Sequence, residues 1–316
     1  MKPTRNSVLN LSVVFAAVAV MLAHAIAQTN ENGKILERKA YVFPEYEKVA
    51  EIKDVFTKEE YDAAVTGSFE TERVVYSSDK FKVAAYFYRP KTPQGRLPVV
   101  VFNRGGYIRG NIAPEIVPIF HRFAKQGFIV VAPLYRGSDG AEGKDEVGGD
   151  DLSDLMNVVP LIRSLDFADA NNIFLYGESR GGTMVFQAIR DSFPANAAAT
   201  YGSFSDFDGF VGSDIKRYVP LLKTIWPDYE ARKAEIAQKR SAILWPDKMN
   251  VPLLLLHGGD DPVVDPVLTL RFAEKLQQLK KPYELLIYAG DNHTLMKNQL
   301  DRDARVAAWF KKYIKK

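Results

Sequence analysis

The sequence predicts an α/β fold: a mostly parallel, doubly wound sheet with a helical cap inserted late in the chain. Three observations predict it. Short, continuous, β-branched apolar runs recur along the chain, as expected of strands buried on both faces. Amphipathic helical patterns separate those runs, which is the alternation that parallel crossovers need. One connection, residues 203–248, is too long for a simple crossover, and loops of that length inside a compact domain are usually lids or binding elements.

The first 27 residues read as a secretory signal. Lys2 and Arg5 supply the positive start, and the run from Val8 to Ala23 is apolar apart from Asn10 and Ser12. Ala25-Ile26-Ala27 then places small residues before a cut at Gln28, which favours cleavage over an uncleaved anchor. This reading predicts a secreted or periplasmic protein with no stable membrane span after cleavage. Residues 28–69 are polar and read as an N-terminal arm. Thr57-Lys58-Glu59-Glu60 is a capping-box pattern there, and Gly67 ends the short helix it starts.

The main domain is expected over 70–316. TERVVYSS and KFKVAAYFYRP form a hairpin about Ser78-Asp79. Buried strands follow at 98–103, 128–132, 172–177, 252–258 and 283–288, with AAATYG (197–202) a weaker candidate. Leu152, Leu155, Met156, Val159 and Ile162 fall on one helical face, as do Leu268, Phe272, Leu276 and Leu279. Residues 300–315 are helical in character.

Composition narrows the function. A chain of 316 residues, 47% hydrophobic, can bury a large core. Net charge is +3, and losing Lys2 and Arg5 leaves 40 basic against 39 acidic residues, a balance that gives no reason to expect nucleic acid as a partner. With no cysteine there is no disulfide, thiolate metal site or Cys nucleophile. Asp139 to Asp154 holds seven acidic residues, read as a solvated loop and a helix N-terminus because no metal-ligand spacing is regular. Asp206-Phe207-Asp208-Gly209 lacks the rest of a calcium loop. No cofactor or metal is assigned.

Gly177-Glu178-Ser179-Arg180-Gly181-Gly182 carries the chemistry. A strand runs into this G-x-S-x-G motif and a helix follows, the setting of a nucleophile elbow in the α/β-hydrolase fold. The serine must top a strained turn, so its neighbours must be tiny. Three histidines remain beyond the signal: His121 in a helix, His257 at a strand end, and His293 in a loop before the last helix. The fold delivers its general base where His293 lies; His257 reads as support for the acid loop. Asp261 is favoured as the acid over Asp260, and Asp265 reads as a helix N-terminal charge beside Pro266. The backbone N–H of Arg180 is the first oxyanion donor by position. Gly106, in the loop after strand 98–103, is the choice for the second, with Gly105 and the Arg104 or Tyr107 side chain as alternatives.

On these residues the chain from about 70 onward resembles the catalytic domain of the prolyl oligopeptidase family. The carriers are NRGGY (103–107), GGDDLSDLMNVVPLI (148–162), YGESRGG (176–182) and RSAILWPDKMNVPLLLLHGGDDPVV (240–264), with the spacing of His293. The resemblance implies Ser179, Asp261 and His293 as a triad. Typical members carry a β-propeller, for which the chain before residue 70 has no room, and many have Trp where Glu178 stands. Some use a Tyr side chain where Arg104 stands, and the glutamate motif that anchors a peptide N-terminus in the exopeptidases is not found. Dienelactone hydrolases and carboxylesterases share much of the framework.

The reading is therefore a secreted serine hydrolase that cleaves a small ester or short-peptide amide. A catalytically silent binding protein on the same scaffold is the alternative. The signal assignment predicts a mature N-terminus at Gln28. Intact-mass spectrometry of the protein from its native host checks this, and soluble protein that retains Met1 would refute it.

Overall fold

A computed structural model describes residues 31–49, 52, 55–106 and 114–316. The signal segment and Tyr107 lie outside the described residues. Nine strands form one sheet: β1 (Ile35–Ala40), β2 (Phe69–Ser78), β3 (Phe81–Pro90), β4 (Leu97–Asn103), β5 (Ile129–Pro133), β6 (Ala168–Glu178), β7 (Ala197–Tyr201), β8 (Leu253–Gly258) and β9 (Tyr283–Tyr288). Their order is β1-β2-β3-β5-β4-β6-β7-β8-β9. The β1/β2, β2/β3 and β3/β5 pairs are antiparallel and all the rest are parallel. This is the mostly parallel sheet of an α/β-hydrolase.

Alternation along the strands builds two cores. In β4 and β6, Val100, Phe102, Phe174 and Tyr176 face one side. Val99, Val101, Ile173 and Leu175 face the other. Helices α2 (Val117–Lys125) and α10 (Gln299–Lys312) cover the first face. Helices α3 (Leu152–Met156), α4 (Val158–Arg163), α5 (Arg180–Arg190) and α9 (Pro266–Gln278) cover the second. Each buried Val, Leu, Ile or Phe contributes about 1.5–3 kcal/mol relative to exposure, so strands apolar on both faces are stable only between two helical layers.

The hairpin turns at Asp79, whose φ of 54° matches a tight connection. In the arm, Thr57 caps helix α1 (Lys58–Val65) with the full reciprocal box, and Gly67 lies just beyond at φ +80°. The sequence showed no strand there, yet β1 pairs along β2 as an edge. Its ILERKA run is exposed and charged, which suits an edge strand and hides the strand signal. Phe43, Val49, Ile52, Phe56 and Tyr61 bury into the first core. The face predicted over 152–162 is two short helices, broken at Asn157, whose amide donates to Ser78 Oγ at 3.0 Å.

Residues 203–248 fold into α6 (Phe207–Ser213), α7 (Ile215–Ile225) and α8 (Tyr229–Arg240). Asp206 caps α6 by accepting from Gly209 N at 3.0 Å, which accounts for the Asp-Phe-Asp-Gly pattern. The insertion has its own core, which takes in Val264 and Leu268 from the segment after β8. Among the described residues no helix is long and apolar enough to cross a membrane.

The acidic run is not a solvated loop. Asp145, Asp151 and Asp154 are fully buried, because arginines neutralise them inside the protein. Asp154 accepts from Arg136 Nη2 at 2.7 Å, from Arg136 N at 2.7 Å and from Ser78 Oγ at 2.6 Å, tying the hairpin to α3. Asp154→Ala leaves Arg136 buried without its partner and should cost about 3–5 kcal/mol in urea unfolding. Exposed Asp150→Ala should change stability by less than about 0.5 kcal/mol. Equal effects would show that burial of the pair is not what matters.

Candidate active site

The elbow is a packing problem before it is a chemical one. β6 and α5 meet with almost no space between them. A Cβ on Gly177 would lie 2.5 Å from Gly182 Cα, and one on Gly181 would lie 1.9 Å from the Asn103 carbonyl oxygen. Only glycine fits either place. Ser179 sits between them at φ 50°, ψ −121°, a backbone state that costs about 1–3 kcal/mol and is held by its surroundings. Its N–H donates to Tyr201 O at 2.9 Å, fixing the elbow to the end of β7. Arg180 opens α5, so its N–H belongs to the first turn, which has no intrahelical acceptor.

The Arg180 side chain turns away into the protein. Nη1 and Nη2 donate to Asp145 at 2.9 and 2.7 Å, and Nη2 also donates to Asp151 at 2.8 Å. Arg104 Nη2 reaches the same Asp145 at 3.3 Å, and Leu134 O and Ser138 Oγ at 2.8 Å each. The Tyr135 ring lies against both guanidinium groups, 4.7 Å from Arg180 and 5.2 Å from Arg104. Burial disfavours charge on Arg180, but Asp145 and Asp151 more than offset it and hold the group above its ordinary value. The Arg104 side chain therefore points away from the cleft and cannot be the second oxyanion donor. Gly105 is buried against Ser179, and a Cβ there would lie 3.2 Å from Ser179 Cβ and 3.4 Å from the carboxyl carbon of half-buried Glu178. Gly106 follows, exposed, at φ 71°.

The acid and the histidine come together. His293 Nδ1 donates to Asp261 Oδ2 at 2.7 Å. Asp261 Oδ1 accepts from the N–H groups of Val263 and Val264 at 2.8 and 3.0 Å. Burial pushes the Asp261 carboxyl up, but hydrogen bonds from His257 and His293, with the Val264 N–H, overcome it and hold the group well below the usual carboxylate range. This depressed value contributes stability that is present above the ordinary carboxylate range and lost as pH falls through the folded-state value. Asp260 is exposed and meets the histidine loop only through its backbone N–H, at 3.0 Å from Asp291 O. Asp265 caps α9 through Val267 N.

The His293 loop has its own support. Buried Asp291 accepts from the N–H groups of Asn292, Lys297 and Asn298, and Leu295 takes φ 56°. The His293 ring rests on Gly202, where a Cβ would lie 3.0 Å from Nδ1. Gly202 follows Tyr201, the acceptor of the Ser179 N–H, so serine and histidine are anchored to adjacent residues. Among the described residues no hydrogen bond joins Ser179 Oγ to His293, and such bonds commonly tighten only with substrate in place. His121 lies elsewhere, its Nδ1 2.9 Å from Tyr88 Oη.

Sequence reasoning missed one set of residues. Asp145 and Asp151 were read as surface charge, because a sequence displays charges and not their partners. His257 reads in the sequence as support for the acid loop and does meet Asp261 directly, a contact that their i, i+4 spacing signals. The aromatics of the 203–248 insertion do not turn as a group toward the serine. Phe204, Phe207 and Trp226 instead fill its core, and Trp245 packs under Arg190. Phe210, stacked 4.4 Å from Phe204 and tilted against Tyr218 at 4.3 Å, is half-buried, as is Trp245.

Residues 118–316 match the prolyl oligopeptidase family. The uncharacterized peptidase YtmA of Bacillus subtilis is 29% identical over 243 residues, covering 75% of this chain and 92% of that protein. A puromycin-hydrolyzing peptidase of Mycobacterium tuberculosis superposes with a TM-score of 0.64 at 26% identity, covering 73% of this chain and 37% of that one. Pyrococcus horikoshii acylaminoacyl peptidase shares the fold, with a TM-score of 0.63 at 21% identity, covering 79% and 43%. The chain spans less than half the length of these two solved structures.

The elbow geometry has a direct test. Gly181→Ala drives a methyl into the Asn103 carbonyl and should destabilise the fold by about 1–3 kcal/mol or more while abolishing covalent labelling of Ser179. Gly212→Ala, in open space, should change neither. Thermal melts and fluorophosphonate labelling followed by mass spectrometry check both.

Proposed function

The chain belongs to the prolyl oligopeptidase family, and from that premise we propose that it is an exported serine hydrolase cleaving short peptides or small esters with Ser179, His293 and Asp261. The observation that carries the reading is the 2.7 Å pairing of His293 with Asp261 beside a strained serine elbow. His293 takes the Ser179 proton as Oγ attacks the substrate carbonyl, and Asp261 holds the imidazole in the tautomer whose Nε2 is free to accept. The negative oxygen of the tetrahedral intermediate is met by the N–H of Arg180 and that of Gly106. Collapse expels the amine or alcohol, protonated by His293, and leaves an acyl-enzyme. Water then repeats the sequence and frees Ser179.

A peptide or aminoacyl amide is favoured over an ester by the peptidase activity named for the relatives, and puromycin joins the substrate panel on the same ground. The insertion over 203–248 acts in this reading as a cap, with half-buried Phe210 its candidate contact to the acyl or leaving group. Export rests on the signal pattern at 1–27.

A fluorophosphonate should modify Ser179, and a folded, unlabelled protein would favour a silent binding scaffold. Asp261→Asn should cut kcat about ten-thousandfold by releasing the wrong tautomer, whereas Asp260→Asn should be mild. Turnover of aminoacyl amides, p-nitrophenyl esters and puromycin measures both, and reversed effects would refute the acid assignment.

A further inference from the structure

The acid carboxylate has a second imidazole on it. His257, at the end of β8, is fully buried, and its Nε2 donates to Asp261 Oδ2 at 3.0 Å. That is the same oxygen that accepts His293 Nδ1 at 2.7 Å. With Val263 and Val264 donating to Oδ1, each carboxylate oxygen takes two donors, and the acceptor capacity of the group is filled.

The surroundings of His257 fix its tautomer. Nε2 faces Asp261 Oδ2 and, at 2.9 Å, the Val264 carbonyl, which only accept. Nε2 must therefore carry the hydrogen, shared between them. Nδ1 lies 2.8 Å from Thr269 Oγ1, whose hydroxyl donates to it. The second contact of that hydroxyl, to Ser203 O, is longer at 3.5 Å. The imidazole is held from both sides with its Nε2 hydrogen aimed at the acid.

We propose that His257 is a positioning residue of the catalytic machinery: it locks the orientation of Asp261 and draws off part of the charge that Asp261 presents to His293. The proposal rests on the reading of Ser179, Asp261 and His293 as a triad. A donor on the shared oxygen leaves less negative charge to stabilise the His293 imidazolium.

The other ionisable groups around the pair are engaged elsewhere. Tyr218 of α7 donates to Val263 O at 3.3 Å. Asp291 accepts from three backbone N–H groups and from Asn298 Nδ2, and the Lys297 ammonium donates to Gly290 O. Arg302 of α10 donates to Thr294 O at 2.7 Å and to Asp303 at 2.8 Å. Asp260 is exposed, and Glu178 lies on the elbow side, where its charge acts on Tyr176 and Tyr201. Among the described residues only His257 and His293 donate to Asp261 Oδ2.

The test is the pH dependence of the second-order rate of fluorophosphonate labelling of the mature protein, which titrates His293 without a known substrate. His257→Leu should raise the midpoint of the acid limb by about half to one pH unit and lower the plateau about tenfold, the scale of one lost hydrogen bond to a charged group. His257→Gln keeps an N–H within reach of Oδ2 and should restore the limb. A folded Leu variant with an unmoved limb would overturn the proposal. If that variant does not fold, imidazole nitrogen NMR of the wild-type protein decides. His257 should hold a proton on Nε2 alone while His293 titrates, and a proton on Nδ1 would overturn the proposal. If wild-type protein is not labelled at Ser179, the triad reading fails, and the NMR result still stands or falls by itself.

Discussion

The site depends on one buried ion cluster, Arg180 held between Asp145 and Asp151. Ser179 is strained, and only its surroundings keep it so. The next residue supplies much of that hold. Its backbone opens the helix under the serine, and its guanidinium is clamped behind by a two-point contact with Asp145. Taking each of these ions out of water costs several kcal/mol, which the paired, two-point geometry offsets in part, since Arg180 Nε has no hydrogen-bond partner among the described residues. Arg104 joins the same carboxylate. Two positive and two negative groups thus close into a neutral cluster beneath the elbow. Gly106 lies two residues past Arg104, so a single aspartate tethers both chain segments assigned to the oxyanion. In the proposed mechanism, donors fixed in that way need no reorganisation when charge develops, and this is where electrostatic catalysis gains most.

A second anchor works on the other side of the serine. The loop carrying Asp261 is not free to drift, because Val264 and Leu268 belong to the core of the 203–248 insertion. Trp226 lies in that core with Arg240 packed over its ring at 4.5 Å. Arg240 in turn donates to the carbonyls of Glu146 and Val147, in the loop that supplies Asp145. Burial draws the Arg240 guanidinium down to about 10. The insertion is therefore joined both to the acid loop and to the loop behind the nucleophile, and a change in its packing reaches both halves of the machinery.

What could be read in the sequence is what local pattern encodes. Strands apolar on both faces announced the parallel sheet, and the glycines around Ser179 announced an elbow because Gly177 and Gly181 have no room for a side chain. Chain order pointed to His293. What could not be read depends on partners distant in sequence. β1 carries Glu37, Arg38 and Lys39 on an exposed edge, so its pairing with β2 leaves no periodic trace. Helical periodicity runs through Asn157 unbroken, yet Pro160 has no N–H to donate to Met156 O and two short helices meet there, with the Asn157 side chain bonded to Ser78 far away in the chain. The direction in which the aromatics of the insertion turn is not legible either, because one segment can seal itself or line a cleft with the same composition.

The position of the site follows from the route of the chain through the sheet. After β4 the chain crosses by α2 on one face to β5; after β6 it crosses by α5 on the other face to β7. β4 and β6 are hydrogen-bonded neighbours, with Asn103 opposite Gly177, yet their continuations diverge. A crevice must open outside the carboxyl ends of these two strands, as at every topological switch point of an open α/β sheet. The loop after β4 brings Gly105 and Gly106 to one lip, and the turn after β6 brings Ser179 and the Arg180 N–H to the other. Because Gly181 meets the Asn103 carbonyl with no gap, the lips are locked in register. The histidine and the acid then arrive from β9 and β8 on the far side of β7, where Gly202 lets the His293 ring come close. The topology alone thus puts Ser179 and the proposed oxyanion donors on one crevice and the His293–Asp261 pair across a single strand from it, and the side chains complete an arrangement that the order of strands has already opened.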